Sequence, residues 1–236
     1  MGTPAMGTFV TGTDTGIGKT VVTAALLTAL RQRNHRAIGM KPVASGCEAG
    51  ADGLRNADAE ALIAHSSAGL DYALVNPYAL AEPVAPHLAA SASGLEIRLD
   101  RCVAAYGALS TNADFVVVEG VGGWAVPFGP ALMQADLVRA LRVPVILVVG
   151  LRLGCISHAL LSARAIEADG CTLAGWIGNR IDPDMARCDE NIATLKDRLT
   201  APCLSVLPHA PALAPSGFAE YVSAAADWIA QRGRRA

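Results

Sequence analysis

The stretch Gly12-Thr-Asp-Thr-Gly-Ile-Gly-Lys-Thr20 decides the fold. An apolar run, Thr8-Phe9-Val10-Thr11, leads into it, and a helical pattern, Val21-Val22-Thr23-Ala24-Ala25-Leu26-Leu27, leads out. Strand, glycine-rich turn and helix in that order are the setting of a phosphate-binding loop. Backbone N–H groups of such a turn face a phosphate, with the positive end of the following helix beneath it. Gly16, Ile17 and Gly18 of this turn, with Val21 at the start of the helix, are expected beside the nucleotide. Lys19 is expected to reach the outer phosphates, and the Thr20 hydroxyl to ligate Mg²⁺. Five residues separate Gly12 from Gly18, where the common loop has about four.

Working outward, strand and helix patterns alternate. Ala37–Val43, Asp114–Glu119, Val143–Gly150, Leu173–Asn179 and Cys203–Leu207 read as buried strands. Helical spacing covers Asp58–His65, Ile97–Ser110, Leu132–Leu141, Ser157–Ala168, Met185–Leu199 and residues 216–231. Residues 48–57 read as loop, and the proline-bearing stretch from Asn76 to Pro86 as irregular chain over a cleft. This alternation predicts an α/β fold, a mostly parallel sheet with helices on both faces. Ligands bind such sheets beyond the carboxyl ends of the strands. The Gly12–Thr20 loop, Lys41, Glu119, Leu151–Cys155, Asn179 and Pro208 all follow strands, so one rim can hold them. No repeat or linker divides residues 1–236, which read as one domain with a loose leader at 1–7 and a basic tail at 232–236.

Composition narrows the function classes. The chain has 236 residues, is 52% apolar and 17% charged, and carries a net charge of −2. This suits a buried core and exerts no general pull toward nucleic acid or membrane. The six cysteines form no Cys-x-x-Cys pair, no secretory pattern opens the chain, and no apolar run approaches membrane-spanning length. A cytoplasmic protein with reduced thiols is expected. His35, His65, His87, His158 and His209 lack metal-ligand spacing. Gly-x-Ser-x-Gly is absent, which removes an α/β-hydrolase.

Chemistry is expected at a few strand ends. Glu119 ends an apolar strand facing the phosphate loop, where a carboxylate can hold Mg²⁺. Gly120, Val121 and Gly122 follow it in a turn whose glycines allow backbone to approach a ligand. Asp58 reads either as a metal ligand or as a helix N-terminal acid. Lys41 interrupts an apolar strand near its end. It reads either as a snorkelling lysine or as a cation that neutralises charge during phosphoryl transfer. Lys19, Lys41 and Lys196 are the chain's lysines, against sixteen arginines. Asn179-Arg-Ile-Asp182 resembles a guanine-reading sequence with arginine in the lysine position, although an asparagine amide also matches adenine.

Taken together, these stretches resemble the dethiobiotin synthetase family. The resemblance is carried by Phe9–Thr15 with Gly18-Lys-Thr20, Lys41-Pro-Val-Ala-Ser-Gly46, Gly53-Leu-Arg-Asn-Ala-Asp58, Val75-Asn-Pro-Tyr78, Ala81-Glu-Pro83, Val118-Glu-Gly-Val-Gly-Gly-Trp124, Pro144–Gly150 and Leu153-Gly-Cys-Ile156. It implies a P-loop NTPase-like fold and an ATP- and Mg²⁺-dependent reaction of 7,8-diaminopelargonate with CO₂ to give dethiobiotin. In that reaction a carbamate is phosphorylated, and the second amine closes a cyclic urea. The resemblance implies that Lys41 and Lys19 are catalytic and that Thr20, Asp58 and Glu119 hold Mg²⁺. It places Thr15, Ser45, Pro83 and Gly122 near the diamine. It places Asn179, with Arg180, Leu207, Pro208 and His209, around the nucleotide base. It implies a homodimer in which the segment after the Val145–Gly150 strand lines the partner's substrate site. Ser157 stands there where the family often has asparagine. The competing readings are a nucleotide-driven partitioning ATPase, which often carries a lysine where this chain has Asp14, and a cobyrinate amidase-like enzyme, which usually needs a further glutaminase domain.

Overall fold

The computed structural model describes residues 5–67 and 69–232, with nothing described for the side chain of Arg232. In chain order the elements are β1 (Met6–Gly12), α1 (Lys19–Gln32), β2 (Ala37–Met40), β3 (Val43–Ala44), β4 (Glu48–Gly50), β5 (Gly53–Arg55), α2 (Ala57–His65), α3 (Tyr72–Val75), β6 (Tyr78–Ala79) and α4 (Pro86–Ala92). There follow α5 (Leu99–Ser110), β7 (Phe115–Glu119), α6 (Gln134–Leu141), β8 (Val145–Leu151), α7 (Cys155–Ala168), β9 (Leu173–Arg180), α8 (Cys188–Arg198), β10 (Cys203–Leu207), a 3₁₀ turn over Pro215–Phe218 and α9 (Ser223–Arg232).

Six strands form one parallel sheet in the order β10-β9-β8-β1-β7-β2. Its central strands are mostly apolar and buried because both faces are covered. Side chains alternate between faces. Phe9, Val116, Val118, Leu147 and Val149 therefore pack into one core. Val10, Val117, Ile146, Val148 and Ile177 pack into the other. The second core is closed by α1, whose Leu26, Leu27 and Leu30 are fully buried. Each such leucine contributes about 2 kcal/mol through burial.

The register sets the site. Val10 pairs with Glu119 and Met40 with Val118, so β1, β7 and β2 end together at one rim. The phosphate loop, Lys41 and the Gly120–Trp124 turn leave from that rim.

The structure corrects several sequence expectations. The predicted leader is strand from Met6 onward, because Met6 and Gly7 pair with Phe115 and Val116. Arg232 ends α9, and the rest of the predicted basic tail lies outside the described residues. The predicted Ala37–Val43 strand stops at Met40. Lys41 and Pro42 turn, and Val43–Ala44 pairs with Tyr78–Ala79 instead. Residues 48–57 contain an antiparallel hairpin, with Glu48 opposite Arg55. The proline-rich stretch ends in a helix with Pro86 in its first turn, where proline's missing N–H costs nothing. Helix α7 begins at Cys155, two residues before the expected Ser157, with Gly154 as its N-cap at φ 96°.

Candidate active site

The rim opens into a cleft of about 760 Å³. Thr15, Gly16, Gly18, Lys19 and Thr20 line one side, Lys41, Ser45, Asp58 and Pro83 a second, and Glu119, Val121 and Gly122 the third. Sequence reading named all of these residues. They come from five separate segments, which the parallel sheet brings to one place.

At the centre is a charged cluster. Lys41 Nζ donates to Glu119 Oε1 at 2.6 Å and to the Gly120 carbonyl at 3.0 Å, and pairs with Asp58 Oδ2 at 3.1 Å. The Thr20 hydroxyl lies 2.9 Å from both Asp58 Oδ1 and Glu119 Oε1. Lys41 and Glu119 are buried, and Asp58 sits at the open edge. Burial disfavours the Lys41 charge, but Glu119 and Asp58 outweigh it and hold the ammonium above its ordinary pKa. Burial likewise acts against the Asp58 charge, and Lys41 with the Thr20 hydrogen bond holds that carboxyl below its ordinary range. Lys19 is different. Burial first, and then the Lys41 charge, bring it down to about 8, while its Nζ donates to the Asp14 carbonyl at 2.9 Å.

Glu119 Oε2 is buried and has no hydrogen-bond partner among the described residues. A buried carboxylate oxygen left without a partner is costly. Together with Asp58 and the Thr20 hydroxyl it makes an all-oxygen donor set of the kind that suits Mg²⁺. The residues present therefore fit that ion.

The phosphate loop is shaped by its glycines. Gly16 and Gly18 adopt φ of 72° and 90°, a region that favours glycine. At Gly18 an added Cβ would lie 2.2 Å from Asn179 Nδ2. Asn179 uses that nitrogen to donate to the Ile17 carbonyl at 2.9 Å, so it ties β9 to the loop. Asp14 ties the loop to the end of β8 through a 2.5 Å ion pair with Arg152, and its Oδ1 accepts from the Thr15 N–H.

The remaining predicted residues stand outside the cleft. Ile17 is in the core beneath the loop, and Val21 is half-buried in α1. Arg180 pairs with Asp189, and His209 Nδ1 lies 3.0 Å from the Arg180 carbonyl. Leu207 is buried opposite Asn179 in the sheet, with Pro208 next to it. Ser157 is exposed on α7, away from this chain's own cleft.

Sequence reading missed the polar residues behind the site. Asn76, buried, donates to the Lys41 carbonyl at 2.7 Å and accepts from the Tyr72 hydroxyl at 3.0 Å. That hydroxyl accepts from the Asn56 N–H at 2.8 Å, and Asn56 caps α2 by accepting from the Asp58 and Ala59 N–H groups. One chain of hydrogen bonds thus joins Lys41 to Asp58. An Asn two residues before an acid is a readable cap signal. Asn76 gave no such signal. Gln134, fully buried at the start of α6, holds the Gly120–Trp124 turn from behind.

Comparison with known proteins adds to this geometry. A family described as an AAA domain matches residues 6–216. The "ATP-dependent dethiobiotin synthetase BioD" of Xanthomonas euvesicatoria pv. vesicatoria is 59% identical over 86% of this chain and 91% of its own length. The protein of the same name from Xanthomonas campestris pv. campestris is 54% identical over 91% and 96%. Among solved structures, the MinC:MinD cell division complex of Aquifex aeolicus aligns with TM-score 0.57 at 16% identity, over 98% of this chain and 97% of that one. The Pyrococcus furiosus cell division ATPase MinD aligns with TM-score 0.51 at 16% identity, over 98% of this chain and 100% of its own. Those structures share the P-loop NTPase-like fold, while identity above one half along nearly the whole length goes further: the chain belongs to the ATP-dependent dethiobiotin synthetase family.

Proposed function

We propose that the cleft built on Lys41, Lys19, Thr20, Asp58 and Glu119 carries out ATP-dependent closure of 7,8-diaminopelargonate and CO₂ to dethiobiotin, the reaction of biotin synthesis for which the family is named. One substrate amine adds to CO₂ and loses a proton, giving a carbamate. A carbamate oxygen attacks the γ-phosphorus of ATP, and ADP leaves. The second amine attacks the resulting anhydride carbon, loses its proton and expels phosphate, which closes the urea ring. No covalent enzyme nucleophile is needed. The protein's task is alignment and charge screening.

The observation that carries this reading is the Lys41 ammonium, held by Glu119, Asp58 and the Gly120 carbonyl beside the phosphate loop. It faces the place where carbamate and γ-phosphate meet and screens the charge that builds there. Lys19 serves the outer phosphates of ATP. Thr20, Asp58 and Glu119 hold Mg²⁺, which when bound neutralises charge on those phosphates. Thr15 and Ser45 face the carbamate and diamine, and Pro83 and Gly122 shape the pocket around the carbon chain. Gly16, Ile17, Gly18, Val21, Gly120 and Val121 contribute backbone to the nucleotide site. Asn179 reads the base, with Arg180, Leu207, Pro208 and His209 around it.

The reading includes a homodimer in which α7 reaches the partner's cleft. Leu153 is 91% exposed and Leu161 60% exposed, with Ser157 exposed between them. Such a face supports burial against a second copy. We assign the chain to the cytoplasm. All six cysteines are free, in keeping with a reducing compartment, and no helix among the described residues is long and apolar enough to cross a membrane.

The test is incubation with Mg-ATP, labelled bicarbonate and 7,8-diaminopelargonate. Acid-stable label in a cyclic urea, requiring both ATP and the diamine, is expected. ATP hydrolysis indifferent to the diamine, with no label, overturns the reading in favour of a nucleotide switch.

A further inference from the structure

We infer that Gln134 is a positioning residue for Lys41. It holds the Gly120–Val121 peptide so that the carbonyl of that peptide faces the Lys41 ammonium.

Gln134 is fully buried. Its Oε1 accepts from the Val121 N–H at 2.9 Å, and its Nε2 donates to the Gly123 carbonyl at 2.8 Å and, more weakly, toward the Trp124 carbonyl at 3.4 Å. Both ends of the amide are used, and a flipped amide would set donor against donor at Val121 and acceptor against acceptor at Gly123. The orientation is therefore fixed by its partners.

The Val121 N–H and the Gly120 carbonyl belong to one planar peptide unit. That carbonyl accepts from Lys41 Nζ at 3.0 Å. Gln134 and Lys41 thus grip the same peptide from opposite edges, and a rotation that freed one edge would swing the other. Gly120 leaves no slack here, because a Cβ on it would lie 2.7 Å from Gln134 Oε1 and 2.9 Å from the Phe9 ring. The turn's other anchors, the Gly120 N–H donating to the Val10 carbonyl at 2.9 Å and the Thr11 hydroxyl donating to the Gly123 carbonyl at 3.2 Å, do not touch the Gly120–Val121 peptide unit. Gln134 itself is fixed by the Val126 carbonyl, which accepts from its N–H at 2.8 Å. Loss of the amide leaves Val121 N–H without its acceptor and the peptide free to turn. Lys41 then loses one of its three partners and its aim.

The inference rests on the role proposed for Lys41, and two variants separate it from that reading. Gln134→Met keeps the volume and loses both hydrogen bonds. Gln134→Glu takes up a proton in this buried place and keeps a carbonyl acceptor for Val121. For Gln134→Met, kcat for cyclic urea formation is expected to fall roughly 10- to 100-fold, with KM for ATP moving less than about three-fold. Gln134→Glu is expected to stay within about three-fold of the parent in both. Hydrogen exchange at the Val121 amide reads the anchoring without turnover. It is expected to quicken in the Met variant alone. A folded Met variant with parental kcat or a still-protected Val121 amide overturns the inference, as does a Glu variant as impaired as the Met one. If Gln134→Met does not fold, Gln134→Asn, whose amide is one methylene too short, must show the same loss. Failure of the proposed reaction shows separately, as an unmodified protein that makes no cyclic urea, and failure of the Lys41 role as a folded Lys41→Ala variant that still makes it.

Discussion

Lys41 Nζ and Glu119 Oε1 are 2.6 Å apart, and neither side chain is open to solvent. Removing one partner of a buried pair strands the other charge, at a cost of about 3–5 kcal/mol. Lys41→Ala is therefore expected to lower the melting temperature as well as abolish product. Its ATP affinity is expected to stay within about three-fold, because the proposed role puts Lys41 at the reacting end and not at the base. Product assays beside ATP titration of the same folded sample check this. Weakened ATP binding with normal turnover per bound ATP contradicts it.

Glu119→Gln keeps the shape of the side chain and removes its charge. The Mg²⁺ concentration for half-maximal activity is expected to rise at least about 10-fold, and chelation to abolish activity in both proteins. A Mg²⁺ titration at saturating ATP decides it. An unchanged Mg²⁺ requirement would remove Glu119 from the donor set.

Gly18→Ala puts a methyl group where Asn179 Nδ2 now sits, at a backbone φ of 90°. Asn179 must release the Ile17 carbonyl, and the loop loses its tie to β9. ATP affinity is expected to fall about 10-fold or more, equivalent to about 1.4 kcal/mol. Calorimetric titration with a non-hydrolysed ATP analogue measures it.

Much of this site is legible in the amino-acid sequence alone. The phosphate loop and Glu119 stand out locally, because glycines open a helix and an acid ends an apolar run at the rim, while Lys41 and Asp58 each read two ways until the resemblance is added. The supporting residues do not stand out. Asn76 matters because Tyr72 and the Lys41 carbonyl meet it, and Gln134 because the Gly120 turn folds back over α6. Both facts are tertiary and leave no local pattern. The two-residue strands β3 and β6 are too short to show alternation. The hairpin β4–β5 is polar and largely exposed, so no burial marks its register. Helix α4 hides behind its own prolines, although Pro86 in the first turn is a start signal and not a break.

Asp114 sits at the opposite end of the sheet. Its carboxyl accepts from the Arg36 side chain at 2.8 Å and from the Arg36 backbone N–H at 2.8 Å, joining the starts of β7 and β2. The Arg36 side-chain hydrogen bond first, and then the backbone one, holds Asp114 below the usual carboxylate range. A depressed folded-state pKa means stability that is present above the unfolded value and lost as pH falls through the folded one. Asp114→Asn is expected to lower the melting temperature by roughly 2 °C at pH 7. The gap to the parent should close as pH drops below about 4. Thermal melts across that range check the sign.

An enzyme that delivers CO₂ to an amine must keep its own amines out of the reaction. CO₂ adds to a neutral amine and not to an ammonium. In the proposed reaction Lys41 stands beside the carbamate, so an unprotonated Lys41 would compete with the substrate for the gas and lose its positive charge in doing so. Glu119 and Asp58 keep it protonated. In that reading the carboxylates that aim the Lys41 cation also shield it from carbamylation, so orientation and protection of this lysine come from one pair of acids.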